Sequence, residues 1–257
     1  MLRPRIIPVL LLEGRRLVKT RRFHNSRYIG DPVNAVRIFN QKEADELMLL
    51  DIHAAETGSP NFDLVREVAS EAFMPVAYGG GVRTLADMEK LFELGVEKIS
   101  LGYSALRDPS LIAAAAARFG SQSIMACIDV KRRLLGGHDV VTSRGRESGG
   151  RRPAEFARAC VTAGAGEILL QNVDRDGTRQ GYDLDLIREV AASVDVPLIA
   201  CGGAGKVEDL RAAINEAGAS AAAAGSLFVF HGKLEAVLIS YPSPAALVSL
   251  GNSTSRP

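Results

Sequence analysis

Pro75-Val-Ala-Tyr-Gly-Gly-Gly-Val-Arg-Thr-Leu-Ala-Asp87 and Pro197-Leu-Ile-Ala-Cys-Gly-Gly-Ala-Gly-Lys-Val-Glu-Asp209 are two renderings of one pattern. Each runs from a proline through an apolar stretch to a pair of glycines and then to a helix start, and both pairs of ends lie 122 residues apart. The register holds outside these segments. Glu46-Leu-Met-Leu-Leu50 matches Glu167-Ile-Leu-Leu-Gln171 at an offset of 121, and Gly102 matches Gly225 at 123. A period close to half of a 257-residue chain marks a duplicated unit. Short runs of Val, Ile and Leu alternate with segments of helical period, the pattern of parallel strands joined by crossover helices. Eight such strands begin near Arg5, Glu46, Pro75, Glu97, Ser123, Glu167, Pro197 and Ala221. The predicted fold is therefore α/β, a single (β/α)8 TIM barrel built from two half-barrel repeats. It is expected to span residues 1–241. Residues 242–257 lose periodicity and are expected to form a flexible C-terminal tail.

Helix signals agree with that division. Asp31-Pro32 and Asp108-Pro109 each set a capping residue before a proline, and Gly120 ends the second of these helices. Leu184, Ile187 and Val190 form one apolar stripe between Asp183 and Val194. The two longest loops are expected at 12–30 and 130–152, after the first and fifth strands, on the C-terminal face where barrels build their sites.

Composition narrows the function. With 31 Lys and Arg against 30 Asp and Glu, no overall field draws the chain to nucleic acid or to a membrane surface. The longest apolar run, 6–12, is too short to cross a bilayer, and no signal-peptide pattern is seen, so a cytoplasmic location is expected. Three cysteines without a CxxC pair and four scattered histidines lack ligand spacing. Neither a metal nor a cofactor is expected.

Glycines after strands three and seven, Gly80-Gly81 and Gly202-Gly203, would let an anion approach backbone N–H groups at a helix start. Gly102-Tyr103 and Gly225-Ser226 follow the next strands. Together they predict two phosphate cradles related by the repeat and a ligand phosphorylated at both ends; tight βα turns are the plainer explanation. Asp176 and Gly177, within Asp174-Arg-Asp-Gly-Thr178, are candidate ligand contacts after strand six. Lys19 belongs to a basic stretch with Arg15, Arg16, Arg21 and Arg22 that, with Lys131, Arg132 and Arg133, could concentrate an anion at the top face or be ordinary solvated surface. Asp129 ends strand five, where an inward carboxylate is suited to proton transfer. Its counterpart in the first half is Leu11. Strand alternation puts Arg5 and Leu11 on one face, Glu46 and Leu50 on another, and Glu167 with Gln171. If Leu11 and Asp129 point inward, Arg5, Glu46, Lys98 and Glu167 form a neutral ring across the barrel floor. Solvated charges at strand starts are the alternative.

Arg5-Ile-Ile7, Gly30-Asp-Pro32, Asp45-Glu-Leu47, Leu50-Asp-Ile52, Gly79-Gly-Gly81, Phe119-Gly-Ser-Gln122, 164–170, 174–178 and Gly202-Gly-Ala-Gly-Lys206 form a collinear set over nearly the whole chain. On these residues the sequence resembles the HisF-like family, the cyclase subunit of imidazole glycerol phosphate synthase. The resemblance implies a barrel that pairs with a glutaminase subunit at its N-terminal face and receives ammonia through its interior. It also implies catalytic aspartates at the ends of strands one and five. Asp129 matches the second; Leu11 replaces the first. Gly102-Tyr103 stands where the family has Asn-Thr. Arg5, Glu46, Lys98 and Glu167 match the family's charged ammonia gate.

Segments 19–23, 25–39 and 225–232 look like a divergent branch associated with surface-polysaccharide loci, whose members work beside a glutaminase and a sugar amidotransferase. The resemblance thus implies an ammonia-conducting barrel with impaired cyclase chemistry. The alternative is an authentic cyclase subunit of histidine biosynthesis.

Overall fold

A computed structural model describes residues 4–134, 136–142, 145, 147–232, 234–243, 246 and 247. The chain runs β1 (Arg5–Glu13), β2 (Arg16–Arg21), β3 (His24–Gly30), α1 (Pro32–Gln41), β4 (Leu47–Asp51), α2 (Ile52–Thr57), α3 (Phe62–Glu71), β5 (Val76–Gly79), α4 (Leu85–Glu93) and β6 (Lys98–Leu101). It continues through α5 (Tyr103–Arg107), α6 (Ser110–Phe119), β7 (Ile124–Arg132), β8 (His138–Thr142), β9 (Glu147–Ser148), α7 (Pro153–Thr162) and β10 (Glu167–Asn172). Then follow α8 (Leu184–Ala191), β11 (Leu198–Cys201), α9 (Val207–Asn215), β12 (Ala221–Ala224), α10 (Ser226–Val229), β13 (Phe230–His231) and β14 (Ala236–Val237).

Eight parallel strands pair in the order β10-β11-β12-β1-β4-β5-β6-β7, and β7 pairs with β10 to close the barrel. Each predicted strand start lies within one residue of the observed one. Closure leaves no strand edge unpaired in the barrel itself, and helices cover its outside. Period-two alternation then divides each strand. Ile6, Leu10, Leu47, Leu49, Ile99, Ile168 and Leu198 face the helices, while Ile7, Val9, Leu11, Met48, Ala77, Met125, Leu169, Ile199, Ala221 and Ala223 fill the lumen.

The half-barrel repeat is present in local chemistry as well as in spacing. Asp51, ending β4, accepts from the Ala54 backbone N–H, and Asn172, ending β10, accepts from that of Arg175, each three residues on. Asp87 gathers the N–H groups of Arg83 and Thr84 before α4, as Asp209 gathers those of Gly205 and Lys206 before α9. Asp31 caps α1 through the Asn34 N–H, and the Asp108 carboxylate takes the Ser110 N–H.

One expectation needs correction. The segments expected as loops after the first and fifth strands are β-ribbons: β1 runs on to Glu13 and pairs with β2, which pairs with β3, while β7 runs on to Arg132 and pairs with β8, which pairs with β9. Basic residues dominate both segments and obscure the apolar positions that pin them, Leu17 and Val18 in the first and Val140 and Val141 in the second, all buried. Of the expected tail, 244, 245 and 248–257 lie outside the described residues. Leu247, within it, is buried in the core between strands and helices.

Candidate functional site

The strand ends converge on the C-terminal face around a cavity of about 430 Å³. Leu11 from β1, Asp129 from β7, Gly80-Gly81 after β5 and Gly102-Tyr103 after β6 all line it. The structure brings these six residues together around one cavity. Among the lining residues to which the sequence reading gave no role are Phe23, Asp51, Ser100 and Gln171. Asp51 is buried, caps α2 and accepts a hydrogen bond from the Tyr78 hydroxyl at 3.3 Å, and burial raises its pKa. The detectable signal was an Asp at a strand end three residues before a helical N–H, which reads as a cap rather than a site.

Asp129 has the environment of a proton-transfer group. Removal from water pushes its pKa from the ordinary 3.8 up to about 7; the Cys127 thiol, 3.6 Å away, opposes the shift and the Asp176 carboxylate adds to it. Across the same cavity the Leu11 side chain is apolar and almost fully buried. It can neither accept, donate nor orient a proton, so Asp129 has no acidic companion from β1.

Lys19, Asp176, Gly177, Gly202, Gly203, Gly225 and Ser226 line a separate small cavity of about 20 Å³, to which Leu11 and Gln171 also contribute. The two expected cradles are therefore symmetric in backbone but not in volume. The difference is Lys19. Carried inward by β2, its ammonium donates to the Val9 carbonyl, is buried, and occupies the space that a side chain at Gly225 would need. Desolvation lowers its pKa to about 8, against the pull of the Asp176 carboxylate. Asp176 in turn is raised by burial and lowered by Lys19, and accepts a hydrogen bond from the Thr20 hydroxyl at 3.1 Å.

The glycines after β5 and β11 have a packing reason of their own. Both adopt positive φ, +117° at Gly80 and +89° at Gly202. A Cβ at Gly80 would fall on the Asp51 carbonyl oxygen, and one at Gly202 would come within 2.6 Å of that of Asn172. Close strand-to-turn approach requires glycine there with or without an anion.

At the opposite end of the lumen the four charges do form a ring. Arg5 pairs with both Glu46 and Glu167; Lys98 reaches Glu46 at 3.2 Å and Glu167 at 2.9 Å. The carboxylate side chains are 3% and 6% exposed, the cations 30% and 21%. Solvated, independent strand-start charges are thereby excluded. Two cations and two anions cancel, and each buried carboxylate has both cations as partners, which offsets the cost of removing it from water. The pairing partners hold the Arg5 guanidinium above its usual range against the opposing effect of burial.

No group of three His, Cys, Asp or Glu among the described residues is arranged to hold a metal ion, and no described helix is long and apolar enough to cross a membrane.

Comparison with known proteins bears on residues 5–235, which match the family model described as "Histidine biosynthesis protein". The chain is 53% identical over 243 residues, 94% of its length and 97% of the relative's, to "Putative imidazole glycerol phosphate synthase subunit hisF2" of Pseudomonas aeruginosa. It is 49% identical over 247 residues, 95% of each chain, to "Putative imidazole glycerol phosphate synthase subunit hisF3" of Vibrio vulnificus. To "Imidazole glycerol phosphate synthase subunit HisF" of Alkaliphilus metalliredigens it is 41% identical over 232 residues, 90% of this chain and 92% of the other.

Proposed function

We propose, from the premise that this chain belongs to the HisF-like histidine biosynthesis protein family, that it is a cyclase-like barrel subunit which conducts ammonia rather than cyclising a substrate. It receives ammonia from a glutaminase docked on the N-terminal face and serves a sugar amidotransferase. The observation that carries this reading is the pairing of an intact charged ring at the floor with an incomplete proton-transfer pair at the top. Ammonia released into open water is protonated and loses the lone pair that makes it a nucleophile; a closed, apolar interior preserves the reactive form. Ile7, Met48, Ala77, Met125, Leu169 and Ala221 pack the lumen between ring and cavity with such apolar surface, so transit requires these side chains to give way. Each cation in the ring bridges both carboxylates, so passage requires the ring to part and re-form.

Loss of one member of an acid–base pair lowers turnover by roughly 10²- to 10⁴-fold. Leu11 therefore removes most cyclisation while costing the fold little, because an isobutyl group is easier to bury than a carboxylate. Gly102-Tyr103, where the resemblance expects Asn-Thr, works in the same direction. The sugar amidotransferase is inferred from the resemblance of 19–23, 25–39 and 225–232 to the polysaccharide-associated branch.

The test supplies the purified chain with ammonium salts and the family's cyclase substrate, and separately reconstitutes it with its glutaminase. The expected result is no imidazole product and a glutaminase activity that rises on complex formation. Turnover within about tenfold of an ordinary cyclase would overturn the reading. It would favour the second one, an authentic cyclase, whose supporting observation is the Asp129 carboxyl poised at about 7 beside a substrate-sized cavity.

A further inference from the structure

The cavity on the C-terminal face is lined by buried polar groups that nothing in the protein satisfies. Ser100 on β6, Gln171 on β10 and Thr142 on β8 all line it and are 3%, 4% and 6% exposed. Ser100 Oγ has no hydrogen-bond partner, although Ser100 lies close enough to the Cys127 thiol to oppose the rise that burial gives the thiol's pKa. Neither Gln171 nor Thr142 makes a side-chain hydrogen bond to another described residue. The Asp129 carboxyl has the Cys127 thiol as its one hydrogen-bond partner among the described residues. A buried hydroxyl or carboxamide left unmet costs stability. Several converging on one space of about 430 Å³ mark a place that a polar ligand fills.

The charge of the lining selects against a phosphate. Asp51, Glu56 and Asp129 bring three carboxyls to the cavity, and Arg83 brings the one cationic group. The neighbouring helix starts are occupied as well. Asp87 takes the N–H groups of Arg83 and Thr84 before α4, and Asp51 takes that of Ala54 in α2. An anion approaching there meets a carboxylate where it needs a bare N–H. A cation would suit the acids but leave the Gln171 N–H donors unmet. A hydroxyl both donates and accepts, so a set of hydroxyls answers Ser100, Thr142, Gln171 and Asp129 together.

Aromatic rings supply the rest. Tyr103, at the start of α5, lines the cavity, and the Arg107 guanidinium stands 5.3 Å from its ring centroid while pairing with Glu147 on β9 at 3.2 Å. Phe23 reaches the same cavity from the β2–β3 turn, where it holds φ +63°, a conformation that a bulky residue adopts only at a cost. A sugar ring matches such a lining, since its C–H face packs on an aromatic ring while its edge carries hydroxyls.

We infer that this cavity binds an uncharged, hydroxyl-rich ring of monosaccharide size, with Ser100, Thr142, Gln171 and Asp129 taking its hydroxyls and Tyr103 and Phe23 covering its C–H surface. Its role rests on the conduction reading above, because a ring held here lies where the lumen opens and ammonia emerges. The binding itself is independent of that reading.

The experiment titrates the full chain with glucose and with N-acetylglucosamine, and in parallel with fructose bisphosphate, by saturation-transfer NMR and calorimetry. Expected are transfer to the ring protons of at least one sugar, a dissociation constant on the order of 1 mM that salt leaves unchanged, and weaker binding of the bisphosphate. Tyr103→Ala should weaken sugar binding roughly 3- to 10-fold and Tyr103→Phe should not, because the ring rather than the hydroxyl is used. Ser100→Ala should weaken it by a similar factor, roughly 3- to 10-fold. The unliganded Ser100→Ala protein should nevertheless melt no lower than wild type, since the hydroxyl it loses has no partner. Unchanged sugar binding by both folded alanine variants would overturn the placement in this cavity. Tighter binding of the bisphosphate than of either sugar would overturn the ligand class, as would no transfer to either sugar at about 20 mM. Ammonia delivery by the glutaminase complex is measured separately. Delivery without sugar binding would sink this inference and leave conduction standing, whereas sugar binding without delivery would do the reverse.

Discussion

Replacing Asp129 by Asn should stabilise the protein, and only above a definite pH. The carboxyl sits at the end of the apolar lumen, and its removal from water moves its pKa from 3.8 to about 7. Between those values the folded chain holds a proton that the unfolded chain has released, so the wild-type protein loses stability as pH rises through this window. The ceiling on that loss is about 4 kcal/mol, at 1.36 kcal/mol for each pH unit. Because the residue also opens onto the cavity, solvent there screens part of the charge, and a gain of about 1–3 kcal/mol for Asp129→Asn at pH 8 is expected. In a chain of this size that corresponds to roughly 2–10 °C in melting temperature. Near pH 4 both forms carry a neutral side chain at this position and the difference should vanish. Calorimetric melts of the two proteins from pH 4 to 8 measure it, since other titrating groups cancel in the comparison. A wild type more stable than the variant at pH 8, or a difference independent of pH, would refute the assignment of Asp129 as a desolvated, unpaired acid.

Other perturbations test the remaining parts. Leu11→Asp places a second carboxylate across the cavity from Asp129; it should cost about 1–3 kcal/mol at pH 8 in chemical denaturation and raise imidazole formation at least ~10-fold above the wild-type background. No gain in product would trace the lost chemistry to Gly102-Tyr103. Lys98→Met leaves Glu46 and Glu167 to share Arg5 alone, and partial exposure of the ring limits the cost to about 1–3 kcal/mol. In the glutaminase complex the same variant should release more free ammonium to the medium, measured against ammonia delivered. Gly80→Ala and Gly202→Ala should each destabilise by about 2 kcal/mol or more, by equilibrium urea unfolding, because a Cβ meets a backbone carbonyl at a positive φ. A neutral outcome at either site would remove the packing reason given for these glycines.

Much of this molecule was legible before any coordinates. The repeat, the eight strand starts and the caps at Asp31 and Asp108 are local signals: apolar period, turn residues and short side chains next to free N–H groups. Asp129 and Leu11 could be matched across the repeat for the same reason. The β-ribbons were not legible, because their few apolar residues are set among arginines and lysines, and charge there reads as loop.

The sequence by itself determined which side chains share a strand face, since alternation along a strand needs no knowledge of its neighbours. Only the closed barrel decided which of those faces meet. Arg5 lies 41 residues from Glu46 and 162 from Glu167, yet pairs with both. Tertiary structure likewise decided that Lys19 fills one cradle and leaves the other open, and that Asp129 titrates near neutrality. Those outcomes depend on the water that packing excludes, a property of the assembled barrel that no single segment carries.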